Sequence, residues 1–233
     1  MPDVKTLAVI QHTSAEYLGL IEDHFEGRRI RFLYSRPFTA GGRLPSPEGL
    51  GDGLVLLGGG PWGSAGARDV PTLEREVALT RRALEAGLPV LGIGLGAQVL
   101  ALASGGGSVA SPLEFTVGEA LRTHAGALAG YLPERYPIVT YGRDRPEPPA
   151  DAEVLARDAE GRPVLFQVAD RALGFTAHPG TKPAIIEDLI MEFEDAPSDP
   201  GPTLERFRAV RPALEDALVP IMTGVVRQLR LME

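Results

Sequence analysis

The sequence predicts an α/β domain, a doubly wound and mostly parallel sheet with short antiparallel additions and a C-terminal helical tail. Three observations predict it. Uninterrupted apolar runs, TLAVI at 6–10, LVLL at 54–57 and LPVLGI at 88–93, have the character of strands buried on both faces. Amphipathic, helix-like segments alternate with them, the order of parallel crossovers that place ligands at the carboxyl ends of strands. From about 113 to 172 the pattern changes to short extended pieces separated by turn signals, as antiparallel strands require.

Taken in order, 6–10 is the first strand, and SAEYLGLIEDHF at 14–25 reads as a helix with Ser14 as N-cap and Tyr17, Leu18, Ile21 and Phe25 on one face. RRIRFLY at 28–34 is a second strand, and the Pro- and Gly-rich stretch 37–53 a long loop. A third strand at 54–57 runs into the glycine loop of LVLLGGGPWGS. Residues 70–87 form the plainest helix, with Pro71 in its first turn, Leu73, Val77 and Leu84 on its stripe and Gly87 closing it. A fourth strand, LPVLGI, follows. LEFTVGEALR, YPIVTYG, AEVLARD and RPVLFQVAD are the antiparallel pieces. ALGFTAHPG at 172–180 is a last strand ending at His178, with a helix at 182–193 behind it. EDAPSDPGP at 194–202 has linker composition. Beyond it Leu204, Phe207, Leu214, Leu218, Ile221, Val225 and Leu229 recur at helical steps, with kinks or interruptions expected at Pro212 and Pro220. The expected division is a domain over 1–195 and a linker with helical extension over 196–233.

Composition narrows the chemistry. The 233 residues include no cysteine, which excludes a thiol nucleophile, disulfides and thiolate metal sites. A formal charge of -8 disfavours nucleic acid as a partner. The N-terminal apolar run is too short for a signal peptide, and no stretch reaches the roughly 20 apolar residues of a membrane span, so a cytoplasmic protein without membrane contact is expected. His12, His24, His124 and His178 are scattered without ligand spacing, so neither a metal nor a cofactor is expected.

One stretch, GLPVLGIGLGAQVLALASGG at 87–106, reads as strand, glycine turn and helix. Its centre, Gly92-Ile93-Gly94-Leu95-Gly96, is the sharp corner on which hydrolases mount a nucleophile, and Gly94 stands where that side chain belongs. The same residues with Ala97 satisfy G-x-G-x-x-G/A, and Glu114 lies at about the distance of a ribose-binding acid. A dinucleotide fingerprint, however, opens the first βα unit of its fold, and this one follows the fourth expected strand.

LLGGGPWGS (56–64), PVLGIGLGAQVLA (89–101) and LGFTAHPG (173–180) together resemble the class I glutamine amidotransferases, in order, spacing and flanking residues across roughly 50–193. The resemblance implies a flavodoxin-like sheet and a triad. In that family an elbow cysteine attacks the glutamine amide, a histidine activates it, and a glutamate two residues later orients the histidine. It also implies an oxyanion site made by the glycine loop, here Gly58-Gly59-Gly60-Pro61, and by the N–H after the nucleophile, here Leu95. The base position is His178. The nucleophile and orienter positions are Gly94 and Gly180, so two of the three side chains are missing. Glycine suits the elbow, because its central residue sits in a backbone region costing about 1–3 kcal/mol when a side chain is present.

The resemblance further places Gln98 beside the family's bound glutamine and relates Tyr141-Gly142-Arg143-Asp144 to its glutamine-side loop. Each retained residue also has a plain reading. His178 can be a strand-end side chain satisfied by backbone, the glycine loop a tight connection, and Gln98 a packing residue. Trp62, the only tryptophan, can lid a pocket or pack on the tail. Ser64, Ser104 and Ser108 are the nearby hydroxyls for a residual amide hydrolase, and none restores the elbow geometry. The sequence therefore predicts a non-catalytic glutamine amidotransferase-like protein. Two uses are open: an interaction or regulatory subunit of a synthetase or other enzyme, or a module holding a small polar ligand in the vacated elbow. The tail's apolar stripe favours the first, through a partner or a homo-oligomer, unless that stripe packs on its own domain. The glycine loop favours the second.

Overall fold

A computed structural model describes residues 4–233; residues 1–3, the start of the expected 1–195 domain, lie outside the described residues. The sheet has nine strands in the order β2-β1-β3-β4-β11-β10-β9-β6-β7. Its leading half is parallel: β2 (Arg31–Ser35), β1 (Thr6–Ile10), β3 (Gly53–Leu56), β4 (Val90–Ile93) and β11 (Ala172–Phe175). From β11 onward, β10 (Pro163–Val168), β9 (Glu153–Asp158), β6 (Glu114–Arg122) and β7 (Arg135–Gly142) run antiparallel to their neighbours. A small ribbon, β5 (Gly107–Val109) with β8 (Arg145–Glu147), stands apart.

The unbroken apolar runs are explained by burial on both faces. Leu7 and Val9 of β1 enter one core, and Ala8 and Ile10 the other. α2 (Leu73–Glu85) and α3 (Leu95–Ala103) cover the second face through Leu79, Ala83, Val99 and Leu100. α1 (Ile21–Glu26) and the long α5 (Gly201–Gln228) cover the first, while α4 (Pro183–Glu192) and α5 close a third cluster around Phe207 and Leu214.

Several boundaries differ from expectation, the second strand starting at Arg31 rather than 28 and the fourth at Val90 rather than 88. The first helix starts at Ile21, not after Ser14, because 14–20 turns Glu16 inward and takes a left-handed residue at Gly19 (φ 63°). The plainest helix starts at Leu73, after Thr72, leaving Pro71 outside its first turn. The last strand ends at Phe175, three residues before His178, whose ring is held by backbone rather than by a ladder. The linker is shorter than its composition suggests, since Gly201 and Pro202 already belong to α5.

α5 also runs uninterrupted through Pro212 and Pro220. Pro212 is exposed and Pro220 half-buried, so the carbonyls that lose a partner one turn earlier lie away from the core. Leu218, Ile221, Met222, Val225 and Leu229 are buried against Ala127, Leu128 and Tyr136 of the same chain. The stripe expected to seek a partner's surface thus finds one on its own domain.

Candidate functional site

The elbow forms as strand β4 passes into α3. Gly94 has φ 57° and ψ -115°, its N–H donates to the Phe175 carbonyl at 2.8 Å, and the Gly96 N–H donates to Leu57 O at 3.1 Å. A Cβ at Gly94 would press on Gly58, 3.3 Å from its Cα, and would sit on a left-handed backbone, so a side chain there carries strain. Neighbouring glycines are packing requirements: a Cβ on Gly92 would lie 2.4 Å from Gly96 O, and one on Gly96 2.1 Å from Leu56 O. Close backbone approach accounts for the fingerprint spacing without a nucleotide.

A cavity of about 270 Å³ opens from the elbow toward β6, β7 and β10. Of the sequence-derived candidates, Gly59, Gly60, Trp62, Gly94, Leu95, Gln98 and Tyr141 line it. Gly58 and Pro61 lie behind the wall: Gly58 packs on Glu16, and the Pro61 carbonyl accepts from Arg143 Nε at 3.1 Å. Trp62 forms part of the cavity wall and stacks under the Arg68 guanidinium, 4.8 Å from its ring centre. Gln98 is fully engaged, accepting from Ser64 Oγ at 2.6 Å and donating to the Arg143 and Asp144 carbonyls. Ser64 lies 2.8 Å from Ser108 Oγ, and Ser104 donates to Leu100 O, so none of these hydroxyls faces a base. Asp144 accepts from the Ser64, Ala65 and Ser111 N–H groups, pinning the glycine loop to the β7–β8 turn.

His178 lines a small hollow beneath α5, with Tyr136, Leu214 and Ile221, and this hollow shares Ile138 and Val164 with the elbow cavity. Its Nε2–H donates to Tyr17 O at 2.8 Å, and its Nδ1 accepts from the Gly180 N–H at 3.1 Å. Both ring nitrogens are thereby spent on backbone, in the neutral form, and burial pushes its pKa down to about 4. Gly180 is hemmed in: a Cβ there would sit 2.7 Å from Ile21 Cγ1 and 2.9 Å from Ile21 N. The backbone of 18–21 closes over it, with Leu20 N–H donating to Gly180 O at 2.8 Å. The structure does not bring His178 and Gly94 to one cavity.

A buried polar chain beneath the glycine loop escaped the sequence reading. His12 donates from Nδ1 to Gly58 O at 3.0 Å and from Nε2 to Glu76 Oε2 at 2.7 Å, and the Thr72 hydroxyl donates to the other Glu76 oxygen. Two acceptors on one ring call for the charged imidazolium. Burial opposes that charge, but Glu76, the Gly58 carbonyl and Glu16 outweigh it and hold His12 above its ordinary pKa. Burial likewise opposes the Glu76 carboxylate, and His12 with Thr72 holds it below its ordinary value. Glu16 differs: burial dominates, and although it accepts the Gly60 N–H at 2.9 Å its pKa is pushed up to about 7. A Cβ on Gly58 would lie 1.7 Å from a Glu16 oxygen, so only glycine admits this carboxylate against the loop. Among the described residues, no cluster of His, Asp or Glu suits a metal ion, and no helix is long and apolar enough to cross a membrane.

The comparisons agree with this architecture. A family model for class I glutamine amidotransferases matches residues 46–182. The glutamine-hydrolysing GMP synthase of Aeropyrum pernix is 34% identical over 168 residues, 67% of this chain but only 30% of that protein's length. Crystal structures of glutamine amidotransferases from Methylobacillus flagellatus (TM-score 0.81, 22% identity, 97% of this chain and 96% of that one) and Thermotoga maritima (TM-score 0.74, 24% identity, 99% of each) share the fold. With a family match over more than half its length, on the strands and glycine turns that build this elbow, the chain belongs to the class I glutamine amidotransferase family.

Proposed function

We propose that this chain is a non-catalytic member of its family, a module that receives a small polar ligand in the cavity left open at Gly94. The observation that carries the reading is the capture of His178. A missing nucleophile alone could be replaced by a hydroxyl or a partner's residue. A base with both nitrogens bonded to backbone, outside the elbow cavity and with no room for an orienting side chain at Gly180, supports loss of the whole relay. The test is ammonia release from glutamine by the purified protein and by Gly94→Cys. Neither should release it above the buffer rate, and turnover by Gly94→Cys would overturn the reading.

A second reading is supported by the Aeropyrum relative, whose matched portion is under a third of its length. On that reading the chain serves as an interaction or regulatory subunit of a larger synthetase-like enzyme. Recovery of tagged protein from native extract, with stoichiometry by mass spectrometry, decides it: a stoichiometric enzyme supports the subunit role, and recovery of the chain alone removes it. The burial of α5 on its own domain takes away the tail's argument for that role and leaves the cavity as the better-supported site.

A further inference from the structure

We infer that the hollow between the 42–47 loop and α2 is a second ligand site, one that takes a phosphorylated small molecule with a compact apolar body. It shares no residue with the elbow cavity, and it stands or falls independently of the reading proposed for that cavity. It follows from three arginines that the fold gathers and leaves unpaired.

The hollow has a volume of about 480 Å³, with Arg43 on its loop side and Arg75, Ala78, Leu79 and Arg82 on its helix side. Positions 75, 78, 79 and 82 follow one another at steps of three and four, so they form one stripe of α2. Ala78 lies between the two arginines, and its short side chain keeps the space between them clear. Leu79 is buried in the core and Leu44 packs against the same cluster, which makes the floor apolar. The facing loop is internally braced. The Arg36 carbonyl accepts the Thr39 N–H at 3.1 Å and the Thr39 hydroxyl at 2.9 Å, and the Ser35 hydroxyl donates to the Arg43 carbonyl. A Cβ on Gly42 would lie 2.0 Å from Arg36 O, so the chain closes tightly just before Arg43.

No carboxylate lines the hollow. The exposed side chains of Arg43, Arg75 and Arg82 enter no ion pair, hydrogen bond or aromatic stack among the described residues, whereas Arg68, Arg143, Arg162 and Arg208 each hold a carboxylate. Glu48 and Glu76 stand near enough to Arg82 and Arg75, respectively, for their charges to interact. Glu48 nevertheless makes no ion pair with Arg82, and Glu76 is buried and spent on His12 and Thr72. Three unpaired cations around one hollow are out of keeping with a chain of formal charge -8, and they repel one another until an anion joins them. A phosphate monoester brings close to two negative charges and three acceptor oxygens, against one charge and two oxygens for a carboxylate. Guanidinium forks also match phosphate oxygens in pairs. The apolar floor and the volume beyond the arginines suit a compact body attached to the phosphoryl group.

The experiment titrates the full chain at pH 7.5 and constant ionic strength with inorganic phosphate, phenyl phosphate and benzoate, following the arginine Nε–H resonances and the heat of binding. Phenyl phosphate should bind about tenfold more tightly than benzoate, which has the same ring and a single charge, and more tightly than inorganic phosphate, which has no body. Arg75→Gln combined with Arg82→Gln should weaken phenyl phosphate by about tenfold while leaving the unfolding temperature near the parent's. Arg81→Gln, at an exposed neighbour outside the hollow, should leave binding unchanged. Benzoate binding as tightly as phenyl phosphate would overturn the phosphoryl assignment. Equal losses in Arg81→Gln and the double variant would overturn the site, because binding would then follow the charge of α2 as a whole. The absence of a saturable response to both phosphates would overturn it outright, and would leave the Gly94 cavity to its own test.

Discussion

Replacing Glu16 by glutamine should change how stability depends on pH more than how the chain folds. The carboxyl is buried beside Gly58 and Gly60, and its pKa rises from 4.5 to about 7, chiefly through desolvation. A group raised on folding contributes stability in full below its unfolded pKa and loses it as pH climbs through the folded one. The window is therefore pH 4.5 to about 7, and two and a half units at about 1.36 kcal/mol each give ~3 kcal/mol across it. Between pH 5 and pH 8 the parent should lose about 2.5 kcal/mol from this group. Glutamine keeps an oxygen for the Gly60 N–H but cannot ionise, so Glu16→Gln should lack that loss. Urea unfolding of both proteins at the two pH values, at one ionic strength, measures the difference of differences. His12 titrates nearby, which is why the parent–variant comparison is the readout. Parallel pH profiles, separated by less than about 0.5 kcal/mol over the window, would refute a protonation-linked Glu16.

Glu76→Ala strands the His12 charge in the core and should cost about 3–5 kcal/mol in denaturant unfolding. Because Glu76 is depressed and His12 raised, the pair's stabilisation should fade below pH 4.5 and again above pH 6.5, as seen in unfolding temperature against pH. Gly180→Ala drives a methyl into Ile21 and should cost about 1–3 kcal/mol by the same assay. Leu218→Ala should cost about 2–5 kcal/mol without altering mass by analytical ultracentrifugation, since its side chain packs within the chain. A changed assembly state would instead place α5 at an interface.

Much of the parallel half was legible because its signal is local. Four apolar residues in a row at 7–10 can only be satisfied by cover on both faces, and Leu7 and Ala8 do point into different cores. The elbow was legible for the same reason: Gly94 and Gly96 are set by contacts within a few residues and with the adjoining strand. The start of the helix expected after Ser14 was misplaced because periodicity at Leu18, Ile21 and Phe25 reports burial, and Leu18 is buried from the loop before α1 as it would be from a helix. His12, Glu16 and Glu76 were invisible as a site, since their partners, Gly58, Gly60 and each other, lie far along the chain. The orientation of His178 was equally hidden: its motif marks a strand end, while its ring is aimed by Tyr17, 161 positions away.

The contact between Gly180 and the 18–21 backbone couples two positions that lie far apart along the chain. A side chain at 180 would have to displace Ile21, and the His178 ring is held by Tyr17 just ahead of the same segment, so the course of 18–21, the size of residue 180 and the orientation of His178 change together or not at all. Residue 180 acts as a spacer, setting how closely that segment lies against the end of the last strand.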